Sequence, residues 1–503
     1  MSRWRWTSLA LVPVAALLLL SAARMRAAGP VAAPPAARAA FPDSLRTWLD
    51  GLGDDSLLVQ VAVMDVSDTT LLYGRHAEMR HTPASLMKLI TSSAALETWS
   101  PRTRLVTRAG FEPAKVRVDK RKGLRIAETL WVEAAGDPSL SRRDLVRLFQ
   151  LVWAEGVDRV EAIRILPDTY GPELLGPGWM WDDAGSPYFA RPSLLTVQGN
   201  SLWAEAGGAG WELPGSALLA VDHQAAPRNA EPRLDRQWED RRDRFTFVAP
   251  LLAPATAPRK TRWWVHPPEP ACSVEHPDSL FRSACFEAAQ EVFQATCRPQ
   301  LDWRSPLPKG VAWLRHVGPP LEQVLDSVLT ESWNLGAENI FQRLAVEKPV
   351  KGLSNWERAG QITRDILRDS LGVEGWLRQV DGSGLSRYNA VAPRQFAQLL
   401  CAMERRHPGR LAARMPDSGQ GTLRKFPPSV AKGVRLAAKT GTLTGVTGLA
   451  GYLMTEGRPH LGFCVLITGQ RAGGSGIRLR NQIVQRLSAW QAQREKLATS
   501  PSR

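Results

Sequence analysis

Three short stretches carry the residue types of an activated-serine site. Ser85-Leu86-Met87-Lys88 sets a hydroxyl three residues before an amine. Ser386-Arg387-Tyr388-Asn389 supplies a second hydroxyl and an amide, and Lys439-Thr440-Gly441-Thr442 offers a cation, two hydroxyls and a glycine. A serine is a poor nucleophile until a base takes its proton. Helix positions three apart share a face, which lets Lys88 reach Ser85. To act as that base the amine must be neutral, so its ordinary pKa of about 10.4 has to fall by several units. Burial and the second cation, Lys439, both push it down. At a helix N-terminus Ser85 faces the positive end of the dipole, and the backbone N–H groups of Ser85 and Thr442 suit a developing oxyanion. Ser386, placed between the two lysines, can hand a proton to a leaving amine. Lys439 with the hydroxyls of Thr440 and Thr442 suits a substrate that ends in a carboxylate. Asn389 adds a polar contact, and Gly441 clears space where a ligand approaches the strand.

Each stretch alone has an ordinary reading. A Ser-x-x-Lys is usually a solvated helix face, a lysine on an edge strand discourages aggregation, and a serine in a Gly-rich turn is turn chemistry. Their order within one chain is what carries the argument.

The elements that must position these residues are partly visible. Val61 to Tyr73 predicts two strands around Ser67-Asp68-Thr69. A helix is expected to start near Thr82-Pro83, with Thr82 as cap and Pro83 in the first turn. Leu86, Leu89 and Ile90 recur at helical spacing. From about Arg104 to Pro270 the texture changes to short strand-like runs such as Leu130-Trp131-Val132-Glu133, which predicts inserted, mostly β material. Helical patterns return at 279–297, 320–329, 338–346 and 356–371. Two strands, 449–454 and 460–468, and a helix over 478–497 close the chain. The picture is an α/β (α+β) domain interrupted by a large β-rich insertion.

The chain has 503 residues, too many for one ordinary core. With 44% hydrophobic and 22% charged residues it is globular in composition. The net charge of +15 comes from scattered Lys and Arg without a long basic run. Nucleic acid is therefore a weak reading, and an anionic wall polymer or membrane surface fits the charge equally well. Arg3 and Arg5, the apolar run Leu9 to Leu20 and the small residues Ser21-Ala22-Ala23 form the pattern of a secretory signal. The expectation is export to the periplasm with at most peripheral membrane association. Five cysteines are present: Cys272, Cys285, Cys297, Cys401 and Cys464. Cys401 and Cys464 lie in core-like runs. On one continuous helix, Cys285 and Cys297 stand about 18 Å apart, so any disulfide is expected to join Cys272 to one of them. No spacing suggests a metal site or a cofactor.

Beyond the three stretches, further motifs follow in order: Gly136-Asp137-Pro138, Gly178-Trp179-Met180-Trp181-Asp182, Asp381-Gly382-Ser383-Gly384-Leu385-Ser386-Arg387 and Gly419-Gln420-Gly421-Thr422-Leu423. With His81 to Thr91 and Ala438 to Leu443, they resemble the low-molecular-mass class C penicillin-binding proteins, the D-alanyl-D-alanine carboxypeptidase/endopeptidases, over roughly residues 42–491. The resemblance implies a penicillin-binding/β-lactamase-like serine transpeptidase fold, with a central antiparallel sheet flanked by helices. It implies an acyl-enzyme at Ser85, peptidoglycan peptide stems as substrate and β-lactams as inhibitors. Ser85, Lys88 and Ser386 are then catalytic, and Asn389, Lys439, Thr440, Gly441 and Thr442 bind substrate. The superfamily's second element is Ser-x-Asn, whereas two residues separate Ser386 from Asn389. The implied organisation is a signal peptide (1–23), a leader (24–41), a discontinuous catalytic domain (42–104 and 275–492), an insertion (105–274) and a tail (493–503). The rival readings are a β-lactam-hydrolysing enzyme of the same superfamily and a non-catalytic peptidoglycan-binding module.

Overall fold

The apolar runs near the two ends of the chain build the sheet that carries the site. In the computed structural model the described residues are 40–499, except 54–55, 167–174, 181–187, 190–191, 201, 208–209, 213–220, 227–232, 240–241, 251–261, 266–278, 303–308, 349, 425–429 and 470–474; for 202–265, 279 and 498–499 only the backbone is described. The expected signal and nearly all of the leader lie outside the described residues.

Strands β1 (Leu58–Asp65) and β2 (Leu71–Arg75) form the expected hairpin. Strands β15 (Arg435–Leu443), β16 (Val446–Thr455) and β17 (Arg458–Thr468) follow late in the chain. They pair in the order β15-β16-β17-β1-β2, antiparallel throughout. β16 is buried along its whole length, the mark of a strand covered on both faces. Alternate residues of β1 feed two cores. Ala62 and Met64 face the helices Met87–Thr98, Leu321–Thr330 and Pro393–Arg406. Val61 and Val63 face Leu45, Leu49, Ile483, Leu487 and Trp490. This is the period of two expected of a strand. The central antiparallel sheet flanked by helices is as the sequence predicts.

The inserted region is mostly β, as expected, with two additions. The helix Arg142–Ala154 lies within it, opened by a capping box between Ser141 and Asp144. That helix packs against Ser279–Phe293 over strands 104–165, burying Leu145, Phe149, Phe281, Ala288 and Phe293 together. The sheet also runs past 274. Strands β3 (Arg104–Phe111), β4 (Val116–Asp119), β5 (Leu124–Glu133), β6 (Arg159–Ile165), β13 (Gln300–Leu301) and β14 (Ala312–Pro320) join in one six-stranded sheet. β13 and β14, from the stretch expected in the catalytic part, pair into this second sheet, and the helix Ser279–Phe293 packs against it. Between β6 and β13 the described backbone forms two three-stranded sheets, one of β7 (Leu202–Gly207), β8 (Gly210–Glu212) and β12 (Arg262–Val265), the other of β9 (Val221–Ala226), β10 (Arg233–Glu239) and β11 (Arg242–Pro250).

The helix expected over 279–297 stops at Phe293, where Gln294 takes φ 54°. Cys285, Cys297, Cys401 and Cys464 are free thiols; Cys272, the expected partner of Cys285 or Cys297, lies outside the described residues. The closing helix, Ser475–Thr499, runs into the expected tail. Among the described residues no helix is long and apolar enough to cross a membrane.

Candidate active site

Ser85 sits one step earlier than a helix face. A 3-10 turn, Ala84–Leu86, precedes the helix proper, which begins at Met87. Thr82 does not cap it: its hydroxyl donates to the Arg387 carbonyl at 3.0 Å. The helix is buried on all sides from Met87 to Leu96, so Lys88 is carried into the interior instead of toward water. Its Nζ lies 3.1 Å from Ser85 Oγ, 2.6 Å from Asn334 Oδ1 and 2.7 Å from the Ser383 carbonyl. Burial lowers the Lys88 pKa to about 7, against the opposing pull of the Glu338 and Asp381 carboxylates. An amine so placed is available as a base near neutral pH.

Lys439 enters from the other side on β15, the edge strand of its sheet. Its Nζ donates to Ser332 Oγ at 3.0 Å and to the Thr440 carbonyl at 2.8 Å. Burial, then the Lys88 charge, holds its pKa well below the usual lysine value. Of the two expected causes of the Lys88 shift, burial is the one that acts, whereas at Lys439 the Lys88 charge adds to burial. Ala438 N–H donates outward from the sheet to the Pro416 carbonyl at 3.2 Å. N–H direction repeats every second residue along a strand, so Thr440 and Thr442 turn their N–H groups to the same edge. Thr442 is exposed and Thr440 half-buried there. Gly441 answers to the protein's own backbone as much as to a ligand: a Cβ would come 2.6 Å from the Pro83 carbonyl, on the turn that carries Ser85.

The second element is where the structure departs from the sequence reading. Ser386 is fully buried, yet its hydroxyl donates to the Pro177 carbonyl and accepts from Tyr388 N at 3.1 Å. It faces neither lysine. Asn389 is also buried: it donates to Asp381 Oδ1 at 2.7 Å and to the Ser386 carbonyl, and accepts from Val380 N. The side chains that do meet the lysines are Ser332 and Asn334, on Lys439 and Lys88 respectively. They stand as Ser332-Trp333-Asn334 at the start of the helix Asn334–Val346. That is a literal Ser-x-Asn, and it removes the extra residue that Ser386 and Asn389 required. No local spacing ties it to the lysines, because Asn334 stands 246 positions from Lys88 and Ser332 107 from Lys439.

The loop around Ser386 nonetheless borders the site. Glu338 accepts from Gly382 N and Ser383 N at 2.8 and 2.7 Å. Burial, then the Asp381 charge, raises the Glu338 pKa. The cluster as a whole offers a nucleophile, a buried base, a second hydroxyl beside a cation, and strand-edge donors, which is the equipment of acyl transfer.

A family model described as the D-Ala-D-Ala carboxypeptidase 3 (S13) family matches residues 51–215 and 304–490, well over half of the chain. The chain belongs to this family. As an S13 enzyme it is a serine-type D,D-peptidase. It is 28% identical over 486 residues to the D-alanyl-D-alanine carboxypeptidase of Actinomadura sp. (strain R39), with 89% of this chain and 85% of the relative covered. A second relative, the D-alanyl-D-alanine carboxypeptidase DacB of Haemophilus influenzae, is 25% identical, with 78% of this chain and 81% of the relative covered. The crystal structure of penicillin-binding protein 4 from H. influenzae matches with a TM-score of 0.69 at 19% identity, covering 88% of this S13 chain and 98% of the other. That likeness is one of fold.

Proposed function

We propose that this D,D-peptidase is exported and cleaves the D-alanyl-D-alanine ends, or the cross-links, of peptidoglycan peptide stems through an acyl-enzyme at Ser85. Neutral Lys88 takes the Ser85 proton as Oγ attacks the carbonyl of the penultimate D-alanine. The Ser85 and Thr442 N–H groups receive the oxyanion. Ser332, held between Lys439 and the cleft, passes a proton to the departing amine, and water then hydrolyses the ester to regenerate Ser85. Lys439, with Thr440 and Thr442, takes the terminal carboxylate, and the arriving anion restores the charge that burial suppresses. Ser386 and Asn389 hold the loop behind the site instead of entering the reaction.

The observation that carries this reading is the contact of the fully buried Lys88 Nζ with Ser85 Oγ at 3.1 Å. β-Lactams are the expected inhibitors, and one relative's structure is described as a complex with a β-lactam. Arg3, Arg5 and the Leu9 to Leu20 run support export with removal of residues 1–23, and the charge of +15 is compatible with peripheral contact at an anionic surface. The catalytic domain is then formed from residues before Arg104 and after Pro320, with the second sheet inserted between them. Incubation with a fluorescent penicillin followed by peptide mapping tests the reading. An adduct on Ser85 is the expected result, and labelling of Ser85→Ala would overturn it.

A further inference from the structure

Two pieces of the inserted chain, 175–180 and 188–189, lie directly on the residues that hold Lys88. Trp179 Nε1 donates to Asp381 Oδ2 at 3.0 Å, inside an aromatic cluster with Phe189 and Trp356 at ring-centroid distances of 5.0 and 5.9 Å. Asp381 is fully buried and its two oxygens also accept from Gly384 N, Ser386 N and Asn389 Nδ2 at 2.9, 2.6 and 2.7 Å. The carboxylate therefore closes the turn that presents the Ser383 carbonyl to Lys88. The other acceptor of Lys88, Asn334 Oδ1, belongs to an amide whose Nδ2 donates to the Tyr188 carbonyl at 2.8 Å. Both partners of Lys88 other than Ser85 are thus fixed from the insertion.

We propose that Trp179 and Asp381 are a positioning pair, through which the docked 175–180 segment sets the Ser383 carbonyl against Lys88 and so controls the acylation step. This rests on the reading that Lys88 activates Ser85. Neither residue touches substrate: Trp179 acts through Asp381, Asp381 through the turn, and the turn through Lys88. A buried carboxylate loses most when a donor is withdrawn, because no water replaces it. Loosening the turn moves away a carbonyl that favours the ammonium form, so the pH at which Lys88 becomes a base falls while its aim at Ser85 worsens.

The test uses the full mature chain and a fluorescent penicillin, with stopped-flow separation of the acylation rate constant from the non-covalent dissociation constant. Trp179→Phe keeps an aromatic ring in the cluster and deletes the donor. The expected result is acylation slowed about tenfold, the dissociation constant changed less than about twofold, and the pH midpoint of acylation moved to lower pH. In an Asp381→Asn background, Trp179→Phe should add less than about a twofold loss. Equal slowing in both backgrounds, or a wild-type rate and pH midpoint in Trp179→Phe, overturns the pairing. If Asp381→Asn does not fold, the pH midpoint of Trp179→Phe decides alone, since lost packing would not move it. Absence of any adduct on Ser85 in the wild type is a different failure: it sinks the acyl-enzyme reading, and the positioning role falls with it.

Discussion

Two serine–asparagine pairs lie within reach of the same catalytic region, and they do opposite things. Ser332 and Asn334 turn their side chains onto Lys439 and Lys88. Ser386 and Asn389 are fully buried and bind Pro177, Asp381 and their own loop. Residue type is the same in both pairs; direction differs, and so does burial, since Ser332 is only half-buried. The first pair flanks a helix start, where Ser332 adopts φ 61° and so aims its hydroxyl at the cleft. The second belongs to a turn whose backbone donors converge on the Asp381 carboxylate, and its side chains are spent closing that turn. What separates a reacting group from a supporting one here is which neighbour its polar atom faces.

Mutating the two serines side by side would break or sharpen this comparison most. Ser332→Ala removes the hydroxyl beside Lys439 and should lower kcat/KM on a D-alanyl-D-alanine peptide by about a hundredfold or more, the usual range for loss of a proton-transfer group. An unchanged Ser332→Ala rate would return the role to Ser386. For Asn334→Ala, the loss of an acceptor on a charged donor corresponds to about 1.5–3 kcal/mol, or roughly ten- to a hundredfold in acylation. The sign of its pH effect is fixed. Asn334 Oδ1 favours the protonated lysine, so its removal lowers the Lys88 pKa further and moves the rising limb of the acylation profile to lower pH. In the wild type that limb should rise through about 7, where burial places Lys88.

Lys439 gives a smaller but more specific effect. Converting the substrate carboxylate to an amide should weaken the wild type by about tenfold or more and alter Lys439→Ala little, since the charge partner is already gone. Zero coupling between the two changes would remove Lys439 from the substrate terminus. Because the Lys439 pKa is depressed in the empty site, carboxylate binding takes up a proton, and affinity should fall as pH rises. Ser386→Ala is the mildest. Loss of two neutral hydrogen bonds costs about 1–3 kcal/mol of stability, and acylation should stay within about threefold of wild type, read as a lower Tm with retained labelling.

The sequence was most legible where the chemistry is local. Ser85 and Lys88 sit three residues apart, and Lys439 to Thr442 form one strand, so short-range geometry already brings the right atoms together. The central sheet was legible for a similar reason, because strands covered on both faces leave long apolar runs such as β16 and β17. The second sheet was read less well. Its helix Arg142–Ala154 announces itself in Ser141-x-x-Asp144 followed by Leu145, Leu148, Phe149 and Val152, a pattern hidden among strand-like neighbours. Its later members join it over long sequence distances, the helix Ser279–Phe293 by packing on Arg142–Ala154 and the strands by pairing of β14 with β3 and β13 with β6.

By itself, then, the sequence determined the reaction type and supplied the proposed nucleophile, base and cation for the substrate terminus, because each rests on side-chain chemistry at fixed short spacing. It could not determine which serine and asparagine complete the set. Lys88 and Asn334 are 246 positions apart, and Lys439 and Ser332 are 107 apart. No local rule of spacing spans such intervals. Only packing of the Asn334–Val346 helix against the Met87–Thr98 helix, with β15 alongside, brings those atoms within hydrogen-bonding distance. The same packing buries both lysines, and burial is what lowers their pKa values, as the proposed role of Lys88 as base requires.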